Sequence, residues 1–134
     1  MSINGEQDKI IKEFSALNDW FEKYEHLMEL GKQHSSISKK FKTDQYALPG
    51  CNSKVWIVSK NHNGRVLFWA DSESIIIRGI LSLILRVVNN RLPDDITTAE
   101  LYFLREIGLS TALSPVRANG VRAIVEYVKS AGIK

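Results

Sequence analysis

One stretch of this chain leaves little freedom about its place in a fold. From about Glu73 to Asn89, apolar residues stand at Ile75, Ile76, Ile77, Ile80, Leu81, Leu83, Ile84, Leu85, Val87 and Val88. Wound at 3.6 residues per turn they cover most of the helix circumference, and a helix without a polar face must be wrapped by other elements. The run from Ile75 to Val88 is interrupted by Arg78 and Arg86 and is too short to span a bilayer. It is therefore expected to be the central helix of a folded core, with Asp71 or Ser72 as its N-cap.

What precedes it reads as a hairpin. Lys54 to Lys60 alternates, with Val55, Ile57 and Ser59 on one side and Trp56 and Val58 on the other. Asn61-His62-Asn63-Gly64 is a hairpin-turn signal, and Arg65 to Ala70 is the returning strand. Asp44 to Leu48 is expected to add a short third strand that runs into Pro49-Gly50. Two helices come first, from about Gln7 to Leu17 and from a cap at Asn18 or Asp19 to a glycine stop near Gly31. Residues 33–43 are polar and read as a loop. Beyond the central helix, Pro93-Asp94-Asp95 opens a turn or short helix. Thr97 or Thr98 could cap a helix over Ala99 to Ile107 ended by Gly108, and Ser114-Pro115-Val116-Arg117 leads into a last helix from about Ala118 to Ser130. The order predicts one α+β domain over residues 1–134, with helices packed on one side of a small antiparallel sheet of about three strands.

Composition narrows the function classes. With 44% apolar and 25% charged residues in 134, the chain is ordinary globular material. A net charge of +3 is mild, and the densest basic run, Lys32 to Lys42, lacks the interleaved aromatics of a nucleic-acid surface. There is no Walker loop and no G-x-G-x-x-G. His26, His34 and His62 are scattered, without metal-ligand spacing. The first residues lack the basic-then-apolar layout of a signal peptide, which together with an unpaired cysteine leads us to expect a reducing, cytoplasmic compartment and no membrane association.

That cysteine is the chain's one strong chemical signal. Cys51 lies in Leu48-Pro49-Gly50-Cys51-Asn52-Ser53-Lys54-Val55-Trp56-Ile57. Most free cysteines are small buried hydrophobes, but one placed directly after a Pro-Gly turn is lifted out of regular structure. Alone, it can neither close an internal disulfide nor hold a metal or cluster. It can act once as a nucleophile and carry a group to a partner. A reactive thiol needs its thiolate favoured by a cation or by N–H groups. The candidates are the turn N–H groups of Asn52 and Ser53, Lys54 close by in sequence, and Arg117 at the start of the last helix. A Cys-His hydrolase has no local signature here.

Gly50-Cys51-Asn52-Ser53-Lys54-Val55-Trp56 resembles the G-C-x-S-x-V-W signature of the SufE/CsdE family, sulfur acceptors for cysteine desulfurases. Trp20-Phe21-Glu22-Lys23-Tyr24 and Leu27-Met28-Glu29-Leu30-Gly31-Lys32 are similar to that family's early helix. Asp71 and Ile76-Ile77-Arg78-Gly79-Ile80 stand where it keeps an Asp and a K/R-G-L/I step. Leu113-Ser114-Pro115-Val116-Arg117-Ala118-Asn119-Gly120 resembles its L-(S/T)-P-x-R-x-N/Q-G element. Asn52 departs from the Gln common there, and Pro49 stiffens the approach to Gly50.

The resemblance implies a SufE/IscU-like fold and a sulfur carrier that stimulates a PLP-dependent desulfurase of SufS or CsdA type. It further implies that the sulfur passes on to a SufBCD-like iron–sulfur assembly complex or another acceptor. On this reading Cys51 bears the persulfide, Gly50, Asn52 and Ser53 shape its loop, and Arg117 and Asp71 stabilise the thiolate or dock the partner. The chain itself needs no cofactor, acts in a relay rather than as a free-standing enzyme, and a homodimer is left open. From the residues alone, Asp71 has a simpler reading as an N-cap, and Arg117 as a structural ion pair or cap. Two other functions stand beside the carrier: a noncatalytic regulatory partner of a desulfurase, and an iron–sulfur or metal scaffold, which one cysteine disfavours.

Overall fold

The computed structural model describes residues 2–49, 51 and 53–131, apart from the side chain of Ser110. The central helix is where its composition requires. Helix α3, Ile75–Val88, buries Ile76, Ile77, Ile80, Leu81, Leu83, Ile84, Val87 and Val88. Helices α1 (Ile3–Ser15), α2 (Trp20–Gln33) and α7 (Pro115–Ala131) pack around it, as does the strand that precedes it.

That strand belongs to an antiparallel hairpin of β1, Val55–His62, and β2, Arg65–Ser72. Asn63 and Gly64, at φ 52° and 80°, form its turn, a conformation that Asn-Gly accepts with little strain. Val55, Ile57, Val66, Phe68 and Ala70 face the helical core and are buried. The sheet has two strands rather than about three. Residues 46–48 add only one bridge, Ala47 to Trp56, with Leu48 N–H donating to the Val55 carbonyl at 2.9 Å and Ile57 N–H to that of Tyr46 at 3.1 Å. A turn through 43–46 on one side and Pro49 on the other leave no room for a longer ladder.

Several boundaries differ from the sequence reading, each for a local reason. Ser2 caps α1 by accepting from Gly5 N–H at 3.0 Å, so the helix starts earlier than Gln7. Gly31 does not end α2. It lies inside the helix, where α3 comes so near that a Cβ would sit 2.2 Å from the Ile75 carbonyl oxygen. Neither Asp71 nor Ser72 caps α3, because both remain in β2, opposite Trp56 and Val55. Ser74 is the cap, accepting from Ile77 N–H at 3.3 Å.

Pro93 opens the short helix α4 (Pro93–Thr98) as expected, but the helix expected over Ala99 to Ile107 shrinks to α5 (Phe103–Glu106), and a further short helix α6 (Leu109–Ala112) follows Gly108. The hydroxyls of Thr97 and Thr98 bond back to the carbonyls of Pro93 and Asp94 instead of capping forward. Fully buried Gln7 supports the irregular stretch by donating to the Glu100 carbonyl and accepting from Phe103 N–H, at 3.0 and 3.1 Å. Helix α7 begins at Pro115 rather than Ala118, a residue type suited to a first helical position.

The sheet face away from the helices is partly covered by residues 34–46. This strap leaves α2 at one edge of the sheet, where His34 Nε2 meets the Ala70 carbonyl at 2.7 Å. It reaches the other edge at Tyr46. Between them it makes a single 3₁₀ turn, Lys39–Phe41, and sets the Lys42 ammonium 5.6 Å from the Trp56 ring centroid.

Candidate functional site

The cysteine loop is a short excursion between the end of the strap and β1. The Leu48–Val55 hydrogen bond closes its neck around residues 49–54. Its far side is tied to the residues that lead out of β2. Ser72 Oγ donates to the Lys54 carbonyl at 2.8 Å, Glu73 N–H donates to the same oxygen at 3.2 Å, and Lys54 N–H donates to Glu73 Oε1 at 3.1 Å. Gly50 and Asn52, the loop residues flanking the thiol, lie outside the described residues.

Cys51 is half-buried and packs against the core. It lines a cavity of about 460 Å³ with Ser53, Val55, Ser74, Ile77, Ser114, Val116, Arg117 and Gly120. Four elements build that wall: the cysteine loop, the start of β1, the first turn of α3 and the first turns of α7. Both helices are capped by serines that line the cavity, Ser74 for α3 and Ser114 for α7, where Ser114 Oγ accepts from Arg117 N–H at 3.3 Å. Helix N-termini carry partial positive charge, Arg117 adds a full one, and among the described residues no carboxylate stands in the lining. The wall is therefore suited to an anion. Gly120 faces the thiol from α7, where a Cβ would meet the Cys51 sulfur at an ordinary contact distance of 3.7 Å. Val116, which lines the cavity, leaves apolar surface at the rim, 49% exposed.

Burial pushes the Cys51 thiol above its ordinary range, because the charged form loses more hydration than the neutral one. Iodoacetamide alkylation of the native protein should therefore show a pH midpoint above that of the same thiol in the urea-unfolded chain. A native midpoint at or below the unfolded one would mean a thiolate already stabilised at rest.

The sequence-derived candidates separate into two places. Cys51, Ser53 and Arg117 come together on the cavity. Asp71 does not line it. Its carboxylate is fully buried between Arg78 and Lys42, with Oδ1 accepting from Ser72 N–H at 2.8 Å and from the Arg78 guanidinium, and Oδ2 3.2 Å from Lys42 Nζ. Burial alone would raise its pKa, but the Ser72 N–H and the Lys42 and Arg78 cations outweigh that and hold it below the usual carboxylate range. Arg78 also donates to the carbonyls of Gly31 and His34, joining α2 to α3.

The individual readings missed Ser74, Ser114, Ile77 and Gly120 as cavity residues. The signal for the two serines is a hydroxyl immediately ahead of a helical run, reinforced by Pro115 in one case. Among the described residues, no three His, Cys, Asp or Glu side chains are grouped so as to hold a metal ion, and no helix is long and apolar enough to cross a membrane.

Comparison with known proteins agrees on the family. Residues 8–131 match the family model for SufE, described as an Fe-S metabolism associated domain. An uncharacterised SufE-like protein of Rhizobium meliloti (strain 1021) is 30% identical over 128 residues, covering 92% of this chain and 91% of the relative. The solution structure of a hypothetical protein from Thermus thermophilus superposes with a TM-score of 0.76 over 96% of this chain and 93% of that one. At 13% identity it speaks for the fold.

Proposed function

Because the chain belongs to the SufE family, we propose that it is a sulfur acceptor for a cysteine desulfurase, with Cys51 as the residue that carries the sulfur. The observation behind this reading is the placement of the chain's single cysteine in a small cavity, without carboxylates among its described residues, under two helix N-termini and Arg117. Cys51, as thiolate, attacks the outer sulfur of the desulfurase persulfide. The new S–S bond forms on Cys51, the old one breaks, and the desulfurase cysteine leaves as thiolate, so that one sulfur changes hands with no external oxidant or reductant.

Each part of the site has a task in this reaction. The cavity shields the resting thiol and, after transfer, houses the persulfide anion beside Arg117 and the α3 and α7 N-termini. A lone cysteine suits a carrier, since a neighbouring thiol would attack the persulfide, release sulfide and leave a disulfide. In this reading the half-buried thiol is activated on docking, when the partner draws the loop outward or brings its own charge. Val116 at the rim supplies apolar surface for that contact. The carrier then passes sulfur to an iron–sulfur assembly complex or another acceptor, works without a cofactor of its own and operates where thiols stay reduced.

The test is intact mass after incubation with a PLP-loaded cysteine desulfurase and L-cysteine. One added sulfur, removed by dithiothreitol and absent when Cys51 is first blocked with iodoacetamide, is the expected result. No gain with either a SufS-type or a CsdA-type enzyme would reduce the family relation to a shared scaffold.

A further inference from the structure

The two arms of the cysteine loop are secured on neighbouring residues. The downstream arm is bonded at Lys54 to Ser72 and Glu73, as described above. The upstream arm is secured one residue earlier, at Asp71, and through a side chain. Lys42 crosses the outer sheet face over Trp56 and places its ammonium 3.2 Å from Asp71 Oδ2. That oxygen is buried without a hydrogen-bond partner among the described residues, whereas Oδ1 is occupied by Arg78 and Ser72. Lys42 is thus the nearby charge that answers Oδ2, and withdrawing it would leave a buried anionic oxygen uncompensated. The exposed Lys54–Asp44 pair, at 3.9 Å, offers no comparable hold.

Four residues beyond Lys42, the strap meets β1 through the Tyr46–Ile57 and Leu48–Val55 bonds, and the second of these is the neck of the cysteine loop. We propose that Lys42 is a positioning residue for the Cys51 site: its pairing with Asp71 seats the strap on the sheet, and the seated strap keeps the neck closed and the thiol in its cavity. Lys42 acts through the backbone, since it does not line the cavity. The assignment rests on Cys51 being the reacting residue and gives Asp71 a place in the site without contact to the thiol. Docking that displaces the strap would free the thiol from a distance.

The test measures thiol access without any desulfurase. Native Lys42→Met should alkylate at Cys51 at least about tenfold faster than wild type, because local opening governs access to a half-buried thiol. Lys42→Arg, which restores the cation, should return the rate to wild type. Ile10→Val, in the core away from the strap, should lose stability without changing the rate. A Lys42→Met rate equal to wild type, an equal rise in Ile10→Val, or a Lys42→Arg chain as reactive as Lys42→Met would overturn the assignment.

If Lys42→Met does not fold, amide exchange in the wild type decides. The Leu48 and Ile57 N–H groups should open together and before those of the β1–β2 ladder, and protection equal to the ladder would overturn it. Either failure leaves the sulfur-acceptor reading standing, and an absence of sulfur uptake would leave these rates interpretable.

Discussion

Cys51→Ser is expected to bring desulfurase turnover, followed as alanine release, down to the rate of the desulfurase alone. A hydroxyl is not deprotonated at neutral pH and cannot displace a thiolate from a persulfide, so the loss should be complete rather than partial. Stability should change by less than about 1 kcal/mol, since the side chain is half-buried in a loop and serine nearly preserves its shape. The variant should therefore still bind the desulfurase while failing to relieve it of sulfur. Full stimulation by Cys51→Ser would mean that this protein activates by contact, and the noncatalytic-partner reading would replace the carrier.

The second large effect is on the fold. Gly79→Ala should destabilise the domain by about 3 kcal/mol or more, beyond the roughly 1 kcal/mol that alanine returns in helix propensity. A Cβ at Gly79 would lie 2.1 Å from the Leu27 carbonyl oxygen, and one at Gly31 would lie 2.2 Å from that of Ile75. Both obstacles are backbone, so no side chain can rotate away and α2 and α3 must separate. Arg78, which ties α2 to Asp71, would be carried with them. Thermal unfolding should fall by roughly 10 °C for a domain of this size. An unchanged midpoint would mean that the helices do not cross this closely.

What could be read from the residues follows the range of the forces involved. The hairpin was legible because Asn63-Gly64 suits a left-handed turn and strand alternation is local. The central helix was legible because an all-round apolar surface has one destination. Cys51 stood out because Pro-Gly is turn chemistry whatever surrounds it. Helix starts were less legible, since Ser72 and Ser74 are equally good caps by type and the choice depends on Ser72 being held by Lys54 across the sheet. The third strand was over-read because the single bridge at Ala47 reflects a turn and a proline on either side of it. The site's walls were hidden for a different reason. Ser74, Ser114 and Gly120 lie 23 to 69 residues beyond Cys51, and only the packing of α3 and α7 brings them to the sulfur. Asp71 had a sound local reading as a cap, and its actual partners, Lys42 and Arg78, come from two other elements.

The closed neck at Leu48 and Val55 also sets how far sulfur can travel. Cys51 is three residues from Leu48, so with the neck intact its Cα can stray no more than about 10 Å from that anchor, even with the chain pulled straight. That makes the carrier a short tether rather than a swinging arm: donor and acceptor must each be brought almost to its surface, and they must take turns there. Unzipping residues 46–48 would move the upstream anchor back to Lys42 and lengthen that side of the tether to about 30 Å. The downstream anchor at Lys54, three residues from the thiol and bonded to Ser72 and Glu73, would still limit its excursion to about 10 Å. The downstream arm is therefore what keeps the relay close-range, and lengthening it by inserted glycines after Ser53 would be the way to extend its reach.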